Sequence, residues 1–373
     1  MPFQEPYLTD LLLYVTRRCN LKCIHCYFSP EHSTSRVADP REASARDFCN
    51  AIEALLPFGL KAVKLTGGEP FLRQDIHELC GFIDAHGLRV LIETNGTLIG
   101  DKDVEALVAL KGNTFVSVSI DGARETTHDG IRGVAGSYVA AMRGASALAA
   151  AGIAVQVIAS LFEANKHELT DLMDQCAGKG AKSFKLNLVH AVGRGKTLAA
   201  MPFEEVCAID ELLAEHAKAI AMTYCSPIPV GMQPITRMID NRLLSSRCNI
   251  ASTISVLYDG TITTCGMGQY CKDFCYGNLR THSIAEVWAT HPTLQMLRDS
   301  LPSRLEGICG DCLLRRMCLG HCRLHAEEVT AGSVFRAYWL CEEADKRGMF
   351  PQTRRRGRRN DTPSPARSQA HVS

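Results

Sequence analysis

The stretch Cys19-Asn20-Leu21-Lys22-Cys23-Ile24-His25-Cys26 decides the fold class of this chain. It follows the short apolar run 11–15, which is typical of a β-strand. The three thiols therefore fall on the loop at the carboxyl end of a first strand, where barrel-type α/β proteins place their chemistry. Three thiols are an odd number for disulfides and one too few for a closed zinc site. They suit an iron–sulfur cube that leaves one iron open.

The composition is that of a globular enzyme with unusually many cysteines. Of 373 residues, 46% are hydrophobic and 22% are charged, which is ordinary for a folded chain of two or three domains. No apolar run is long enough for a transmembrane helix, and the N-terminus lacks the basic stretch of a signal peptide. Without an export signal, the 17 cysteines indicate metal binding in a reducing compartment. We therefore expect a cytoplasmic protein with no membrane partner.

Strand-like runs alternate with helical patterns from residue 8 to about residue 195. The predicted strands are 11–15, 62–66, 89–93, 115–120, 153–160 and 183–189, and the predicted helices between them are 44–56, 75–86, 101–110, 137–151 and 166–179. This alternation predicts parallel βα units. With six units instead of eight, the barrel would be incomplete and open on one side for a large substrate.

The last third of the chain holds a second set of regularly spaced cysteines. Asp259-Gly260 lies between two strand-like runs and predicts a hairpin that returns Cys265 towards Cys248. Further cysteines follow at Cys309, Cys312, Cys318, Cys322 and Cys341. Cys-x2-Cys units serve zinc knuckles as well as iron–sulfur clusters, so the residues alone leave both metals open.

The first motif, Cys19-x3-Cys23-x2-Cys26, resembles the signature of radical S-adenosylmethionine (SAM) enzymes, whose open iron chelates the amino and carboxylate groups of SAM. His25 occupies a position that is often aromatic in that family. The seven C-terminal cysteines are similar to the SPASM extension of peptide-maturing members, which holds auxiliary iron–sulfur clusters. The resemblance implies an α/β fold, a partial (β/α)6 TIM-like barrel with a small cysteine-rich C-terminal iron–sulfur domain. We expect a barrel core over 1–200, a helical bridge over 201–247, the SPASM domain over 248–350 and a disordered basic tail over 351–373.

The resemblance also implies the metal ligands. It puts a SAM-binding [4Fe-4S] cluster on Cys19, Cys23 and Cys26, an outer auxiliary [4Fe-4S] cluster on Cys309, Cys312, Cys318 and Cys341, and an inner one on Cys248, Cys265 and Cys322. Either Cys271 or Cys275 could complete the inner cluster, or an open iron there could bind a substrate heteroatom. The remaining cysteines match no motif and are interpreted as core thiols.

Small and polar residues that follow successive predicted strands are the candidate SAM contacts. They are Gly67, Gly68, Glu69, Asn95, Ser119, Asp121 and Arg132. The family uses the Gly-Gly-Glu position to bind the SAM amino group, so the carboxylate of Glu69 could receive an ammonium. In similar enzymes the positions of Asn95, Ser119 and Asp121 contact the SAM ribose and carboxylate, and Arg132 matches a recurrent basic position. The competing interpretation is that each polar residue caps a helix or turn. No residue is assigned as a catalytic acid or base, because the cofactors supply the radical.

The implied activity is reductive cleavage of SAM to a 5′-deoxyadenosyl radical, which takes hydrogen from a peptide or protein carbon during crosslinking, epimerisation or oxidation. Only 18 residues precede Cys19, so we expect any leader peptide to be recognised by a separate protein. Electrons would come from a donor such as flavodoxin or ferredoxin. Gly266 stands where sulfatase-type members carry aspartate, which argues against that reaction.

Two other functions remain open at this stage. One is modification of tetrapyrrole side chains, since haem-pathway members are also similar to this chain in the run 16–23 and in Gly193-Arg194-Gly195. The other is a metal-binding scaffold without catalytic activity.

The tail from 354 to 373 carries six arginines and one acid, Asp361, without interleaved aromatic residues. It gives no support for base stacking, so we do not predict a nucleic-acid partner.

Overall fold

Eleven of the strands form one sheet in the computed structural model, which describes residues 6–245, 249–324 and 333–356. The strands are β1 Asp10–Thr16, β2 Arg18–Cys19, β3 Glu31–His32, β4 Ala62–Gly67, β5 Arg89–Thr94, β6 Phe115–Ser119, β7 Ala154–Leu161, β8 Ser183–Leu188, β9 Thr223–Ser226, β10 Leu243–Ser245, β11 Thr253–Val256, β12 Thr261–Thr263 and β13 Cys275–Asn278. The helices are α1 Ala45–Leu55, α2 Ile76–Ala85, α3 Asp101–Val108, α4 Glu125–Arg132, α5 Ser137–Ala150, α6 Leu169–Gly178, α7 Phe203–Ala219, α8 Ile235–Met238, α9 Ile284–Thr290, α10 Pro292–Ser300, α11 Gly307–Asp311, α12 Arg315–Cys318 and α13 Trp339–Lys346.

The strand order of the large sheet is β10-β9-β8-β7-β6-β5-β4-β1-β11-β12-β13. Every pair from β10 to β11 is parallel, and only the last two pairs are antiparallel. The six predicted barrel strands are β1, β4, β5, β6, β7 and β8, and all six are confirmed. The α/β class and the partial barrel are confirmed with them.

The two faces of the barrel strands have different chemistry. In β4, Val63 and Leu65 are fully buried in the core, whereas Lys64 and Thr66 line the barrel interior. Side chains alternate between faces along a strand, so every second position points inward. The outward apolar side chains pack against the helices. The inward polar side chains line a polar cavity at the carboxyl ends of the strands.

The cysteine-rich C-terminal segment begins as part of the barrel sheet. The predicted hairpin is confirmed as β11 and β12, which pair antiparallel. In addition, β11 pairs parallel with β1, with Leu13 opposite Val256. The sequence did not predict this pairing, because a strand pattern does not name its partner strand. It brings Cys265 to the side of the barrel that carries the first cysteine loop.

Two segments differ from their predictions. Residues 201–247, predicted as a helical bridge, contain the long helix α7 and also the strands β9 and β10, which extend the parallel sheet beyond β8. Pro227, Pro229 and Pro234 lie between β9 and α8. In the predicted disordered tail, residues 351–356 are ordered, since the Leu313 N–H donates to the Arg354 carbonyl and the Arg356 N–H to the Asp311 carbonyl. Residues 357–373 lie outside the described part.

No helix in the described part of the chain is both long and apolar enough to cross a membrane.

Candidate active site and cluster-binding residues

One cavity of about 440 Å³ opens at the carboxyl ends of the barrel strands. Predicted site residues from distant parts of the sequence line it, namely Cys19, Cys23, Cys26, Gly67, Gly68, Asn95, Ser119, Arg132, Cys265 and Cys322. Glu69 and Asp121 are fully buried and lie behind this wall. The cavity therefore joins the first cysteine loop to two thiols of the C-terminal segment.

The first cysteine loop is fixed to the end of α4. The backbone N–H of Lys22 donates to the Arg132 carbonyl at 2.9 Å, and that of Ile24 donates to the Ile131 carbonyl at 3.0 Å. Burial raises the pKa of the Cys19 thiol to about 12, so a positive partner is needed to hold it as a thiolate. Of the three thiols, Cys23 has such a partner, because Arg132 Nη1 lies 3.7 Å from its Sγ. An iron–sulfur cluster provides the same compensation more strongly, since its ligands are thiolates.

Gly67 and Gly68 are required by backbone packing. Gly67 has φ of +124°, and a Cβ on Gly68 would lie 2.0 Å from the Arg18 carbonyl oxygen. The backbone N–H groups of Gly68 and Glu69 donate to the carbonyls of Thr16 and Arg18, both at 2.8 Å. The glycine pair thus holds the loop after β4 against the residues that lead into Cys19.

The Glu69 carboxylate is buried and does not line the cavity, and its role as the acceptor of the SAM ammonium stays a prediction. It accepts hydrogen bonds from the Thr94 hydroxyl at 2.7 Å, the Asn95 N–H at 2.8 Å and the Phe71 N–H at 3.1 Å. Burial raises its pKa to about 7. Glu69 fixes the turn that carries Asn95, whose side-chain amide donates to Asn20 Oδ1 at 2.9 Å.

Asp121 is also buried behind the cavity wall, and its contact with SAM stays a prediction. Its Oδ2 forms an ion pair of 2.8 Å with Arg132 Nε, and its Oδ1 accepts from the Ser160 N–H at 2.8 Å. Burial opposes its ionisation, but the Arg132 charge outweighs burial and keeps the pKa of Asp121 below its ordinary value. Burial lowers the pKa of the neighbouring His25 to about 4, so this imidazole is uncharged at neutral pH.

The inner set of predicted ligands is only partly described. Cys265 and Cys322 line the cavity, whereas Cys248 lies outside the described residues. Cys275 is on β13 and pairs with Thr263, two residues before Cys265. Cys271 precedes it in the same connection, and neither thiol lines the cavity. The choice between these two as fourth ligand stays a prediction.

The outer set of predicted ligands comes together completely. A hydrogen bond with Cys309 raises the pKa of the Cys341 thiol, and Cys309, Cys312 and Cys318 all raise it further by their charge. A Cβ on Gly231 would lie 3.2 Å from Cys312 Sγ, so the bridge segment packs directly on this thiol set. Four thiols in one place match the number of ligands that a closed cluster needs.

Within residues 6–245, 249–324 and 333–356, no three His, Cys, Asp or Glu side chains are placed to share one metal ion. The thiolates of an iron–sulfur cluster bind different irons, so they need not converge on one point.

Comparison with known proteins agrees with this geometry. The radical SAM superfamily model matches residues 13–176, and the SPASM iron–sulfur cluster-binding domain model matches residues 248–313. The chain belongs to the radical SAM superfamily and carries a SPASM domain. It is a radical SAM enzyme with iron–sulfur clusters and S-adenosylmethionine as its cofactors.

Its relatives include enzymes with different named products. The chain is 28% identical to the AdoMet-dependent heme synthase of Methanosarcina barkeri, over 85% of this chain and 91% of that protein. It is also 28% identical to the mycofactocin maturase MftC of Mycobacterium ulcerans, over 83% of this chain and 81% of that protein. Streptococcus suis SuiB bound to its precursor peptide SuiA aligns with a TM-score of 0.72 at 18% identity, over 90% of this chain and 76% of SuiB. At this low identity, the similarity to SuiB shows that the two proteins share a fold.

Several cavity residues were missed by the sequence analysis. Tyr14, Lys64, Glu93, Lys185 and Arg194 all line the cavity. Lys64, Glu93 and Lys185 could have been predicted from the sequence, because each is a charged residue in an otherwise apolar strand. When such strands form a barrel, a charged position faces its interior. Tyr14 carried no such signal, because tyrosine is common in any strand.

Proposed function

We propose that this radical SAM enzyme abstracts hydrogen from a carbon of a peptide or protein substrate and yields a crosslinked or oxidised peptide. The observation that carries the proposal is the shared cavity, which the thiols Cys19, Cys23 and Cys26 line on one side and Cys265 and Cys322 on another. A substrate held there would be within reach of both sets. An electron acceptor on Cys265 and Cys322 favours oxidation and crosslinking over epimerisation, which removes no electron.

Cys19, Cys23 and Cys26 would hold the cluster that binds SAM, and together these cofactors supply a 5′-deoxyadenosyl radical. The chain contributes placement and exclusion of water. Arg132 offsets thiolate charge at Cys23, and Asp121 keeps its guanidinium in place. Tyr14 and Phe28 stack with ring centroids 5.2 Å apart and form an apolar wall beside the loop. Such a wall excludes water from the site.

The comparisons support a peptide substrate without naming it. MftC is a maturase, and SuiB has been crystallised with a precursor peptide. Within the part of the chain that the structure describes, β10 and β13 are the two edge strands of the sheet, so the partial barrel is open on one side. An open barrel suits a substrate larger than the cavity itself.

The test is an anaerobic reaction of the reconstituted enzyme with SAM, dithionite and each short peptide encoded beside the gene. We expect 5′-deoxyadenosine and a peptide that has lost hydrogen, both detected by mass spectrometry. The Cys23→Ala variant is the matched control and should form neither product. Formation of 5′-deoxyadenosine with every peptide unchanged would contradict the peptide substrate.

A second candidate is modification of a tetrapyrrole side chain. The heme synthase relative matches over most of both chains, and Lys185 and Arg194 add positive charge to the cavity. Tetrapyrrole propionates are anionic, so a cationic wall would suit them. In the same assay, a tetrapyrrole with propionate side chains should then change its mass and its Soret absorbance. No spectral or mass change would remove this candidate.

A further inference from the structure

Two positive side chains on the cavity wall form no ion pair within 4 Å in the described part of the chain. They are Lys185 on β8 and Arg194, which follows that strand. Neither belongs to the predicted SAM contacts. Lys185 and Arg194 come from β8 and the segment after it, whereas Lys64, Glu93 and Arg132 form ion pairs within the protein.

Strand register places Lys185 inside the barrel. Ser119 on β6 pairs with Ile158 on β7, and Ile158 pairs with Lys185 on β8. Residues that pair directly across neighbouring strands point to the same face of a sheet. Because Ser119 and Ile158 line the cavity, Lys185 extends into it from the same layer.

The neighbouring charges are already paired. Lys64 Nζ lies 2.8 Å from Glu93 Oε1, and Arg132 Nε lies 2.8 Å from Asp121 Oδ2. Burial raises the pKa of the Glu93 carboxyl, but Lys64 and Lys185 outweigh burial and the net shift is downward. Glu93 therefore stays ionised and shares its single charge between two lysines. Lys185 itself makes no ion pair within 4 Å in the described residues.

A backbone hydrogen bond fixes Arg194 next to the first cysteine loop. Its N–H donates to the Cys26 carbonyl at 3.0 Å, and the preceding Gly193 has φ of +57° with Tyr27 backbone oxygen 2.5 Å from where a Cβ would stand. The side-chain atoms Nε and Nη2 are buried, and neither has a hydrogen-bond partner in the described ranges. Buried polar atoms are normally paired, and a charged group left unpaired costs more than a neutral one.

We propose that Lys185 and Arg194 bind carboxylate groups of the substrate, which makes them specificity-determining residues of this cavity. This inference rests on the proposed function of the cavity as the substrate site. The planar guanidinium suits a carboxylate through two parallel hydrogen bonds, and the lysine acts as a point charge. The carboxylates belong either to acidic side chains of a peptide or to the propionates of a tetrapyrrole. Both sources present the same chemical group.

The test measures binding to the anaerobic holoenzyme in the presence of SAM, with two pairs of probes. One pair is coproporphyrin III and its tetra-amide, and the other is a glutamate-containing octapeptide and its glutamine counterpart. We expect one acidic probe to bind at least about tenfold more tightly than its amide. In Lys185→Gln and Arg194→Gln, that preference should fall by about tenfold, while the affinity for SAM is unchanged. Lys185→Arg should retain it.

Lys102→Gln and Arg143→Gln, at exposed helix positions outside the barrel, are the matched controls and should behave as the wild type. Equal affinity for acid and amide in both pairs would overturn the inference. So would a drop in SAM affinity in Arg194→Gln equal to the drop for the acidic probe, since Arg194 would then serve the cofactor. The pair that shows the preference identifies the carboxylate source. Failure of the proposed function is a separate result, namely no change of any substrate under conditions that yield 5′-deoxyadenosine.

Discussion

The hydroxyl oxygen of Tyr14 lies 3.1 Å from that of Tyr27 and also accepts the backbone N–H of Gly266 at 2.8 Å. Tyr27 directly follows Cys26, and Gly266 directly follows Cys265. The two tyrosines therefore connect the loop of the first cysteine motif to the loop that carries Cys265, a predicted cluster ligand. Burial raises the pKa of both phenols, so both remain protonated and able to hydrogen-bond at any pH the enzyme meets.

Replacement of Tyr14 by Phe should weaken this connection. The buried N–H of Gly266 would lose its acceptor, and an unsatisfied buried donor costs about 1–3 kcal/mol. We expect the free energy of unfolding to fall by that amount and the electron paramagnetic resonance spectrum of the inner auxiliary cluster to change. Tyr7→Phe is the control, since Tyr7 is half exposed and makes no such bond. Equal effects of the two substitutions would show that the Tyr14 hydroxyl does not stabilise the connection.

Gly68→Ala should disrupt the loop that carries the first cysteines. The new Cβ would lie 2.0 Å from the Arg18 carbonyl oxygen, a backbone atom that cannot move aside cheaply. Overpacking of this kind costs about 3 kcal/mol. We expect that loss in urea denaturation, together with a lower iron content. Gly81→Ala on α2 meets nothing within 4 Å and should instead stabilise the protein by about 0.5–1 kcal/mol. A Gly68→Ala variant with the stability and iron content of the wild type would refute the close approach.

Cys341→Ala should remove one cluster from the protein. Cys341 lies with Cys309, Cys312 and Cys318, and the outer cluster is proposed to need all four thiols. Iron and sulfide analysis of the reconstituted variant should show a loss of about four irons per chain. Cys80→Ala provides the comparison, because Cys80 is a core thiol on α2 whose pKa is raised by burial alone. Unchanged iron in Cys341→Ala would remove this residue from the ligand set.

Stability should fall below pH 6.5 because of His128. Burial lowers the pKa of this imidazole to about 4, and its Nδ1 accepts the Asp121 N–H at 3.1 Å, which requires an unprotonated ring nitrogen. The unfolded chain takes up the proton first, near pH 6.5, so the folded state loses stability as the pH falls from about 6.5 to 4. Each unit of pKa difference is worth about 1.4 kcal/mol, so the loss reaches about 3 kcal/mol.

His128→Asn keeps an acceptor in the ring's place but cannot be protonated. Urea denaturation at pH 7 and pH 5 should therefore show a smaller pH effect in His128→Asn than in the wild type. The exposed His167→Asn substitution should leave the effect unchanged. If wild type and His128→Asn lose stability equally between the two pH values, another group is responsible.

Much of the barrel was readable in the sequence because its signals are local. Each strand is a short apolar run and each helix an amphipathic one, so the periodicity identifies both without knowledge of their partners. The parallel pairing of β11 with β1 was not readable, and neither were the strands β9 and β10 within the predicted helical bridge. Both depend on which sheet edges remain free after the barrel strands have paired. That is a property of the assembled sheet.

The sequence by itself determined the class of cofactor, since the spacing of Cys19, Cys23 and Cys26 on one loop restricts the metals they can hold. The tertiary structure alone decided which polar residues reach the cavity. It placed Glu69 and Asp121 behind the wall, where they hold Asn95 and Arg132 in position, and it brought Lys185 and Arg194 to the surface of the cavity. The physical reason is that ligand spacing within a loop is fixed by the covalent chain. The direction of a side chain at the mouth of a barrel is set by strand register and by the hydrogen bonds of its neighbours.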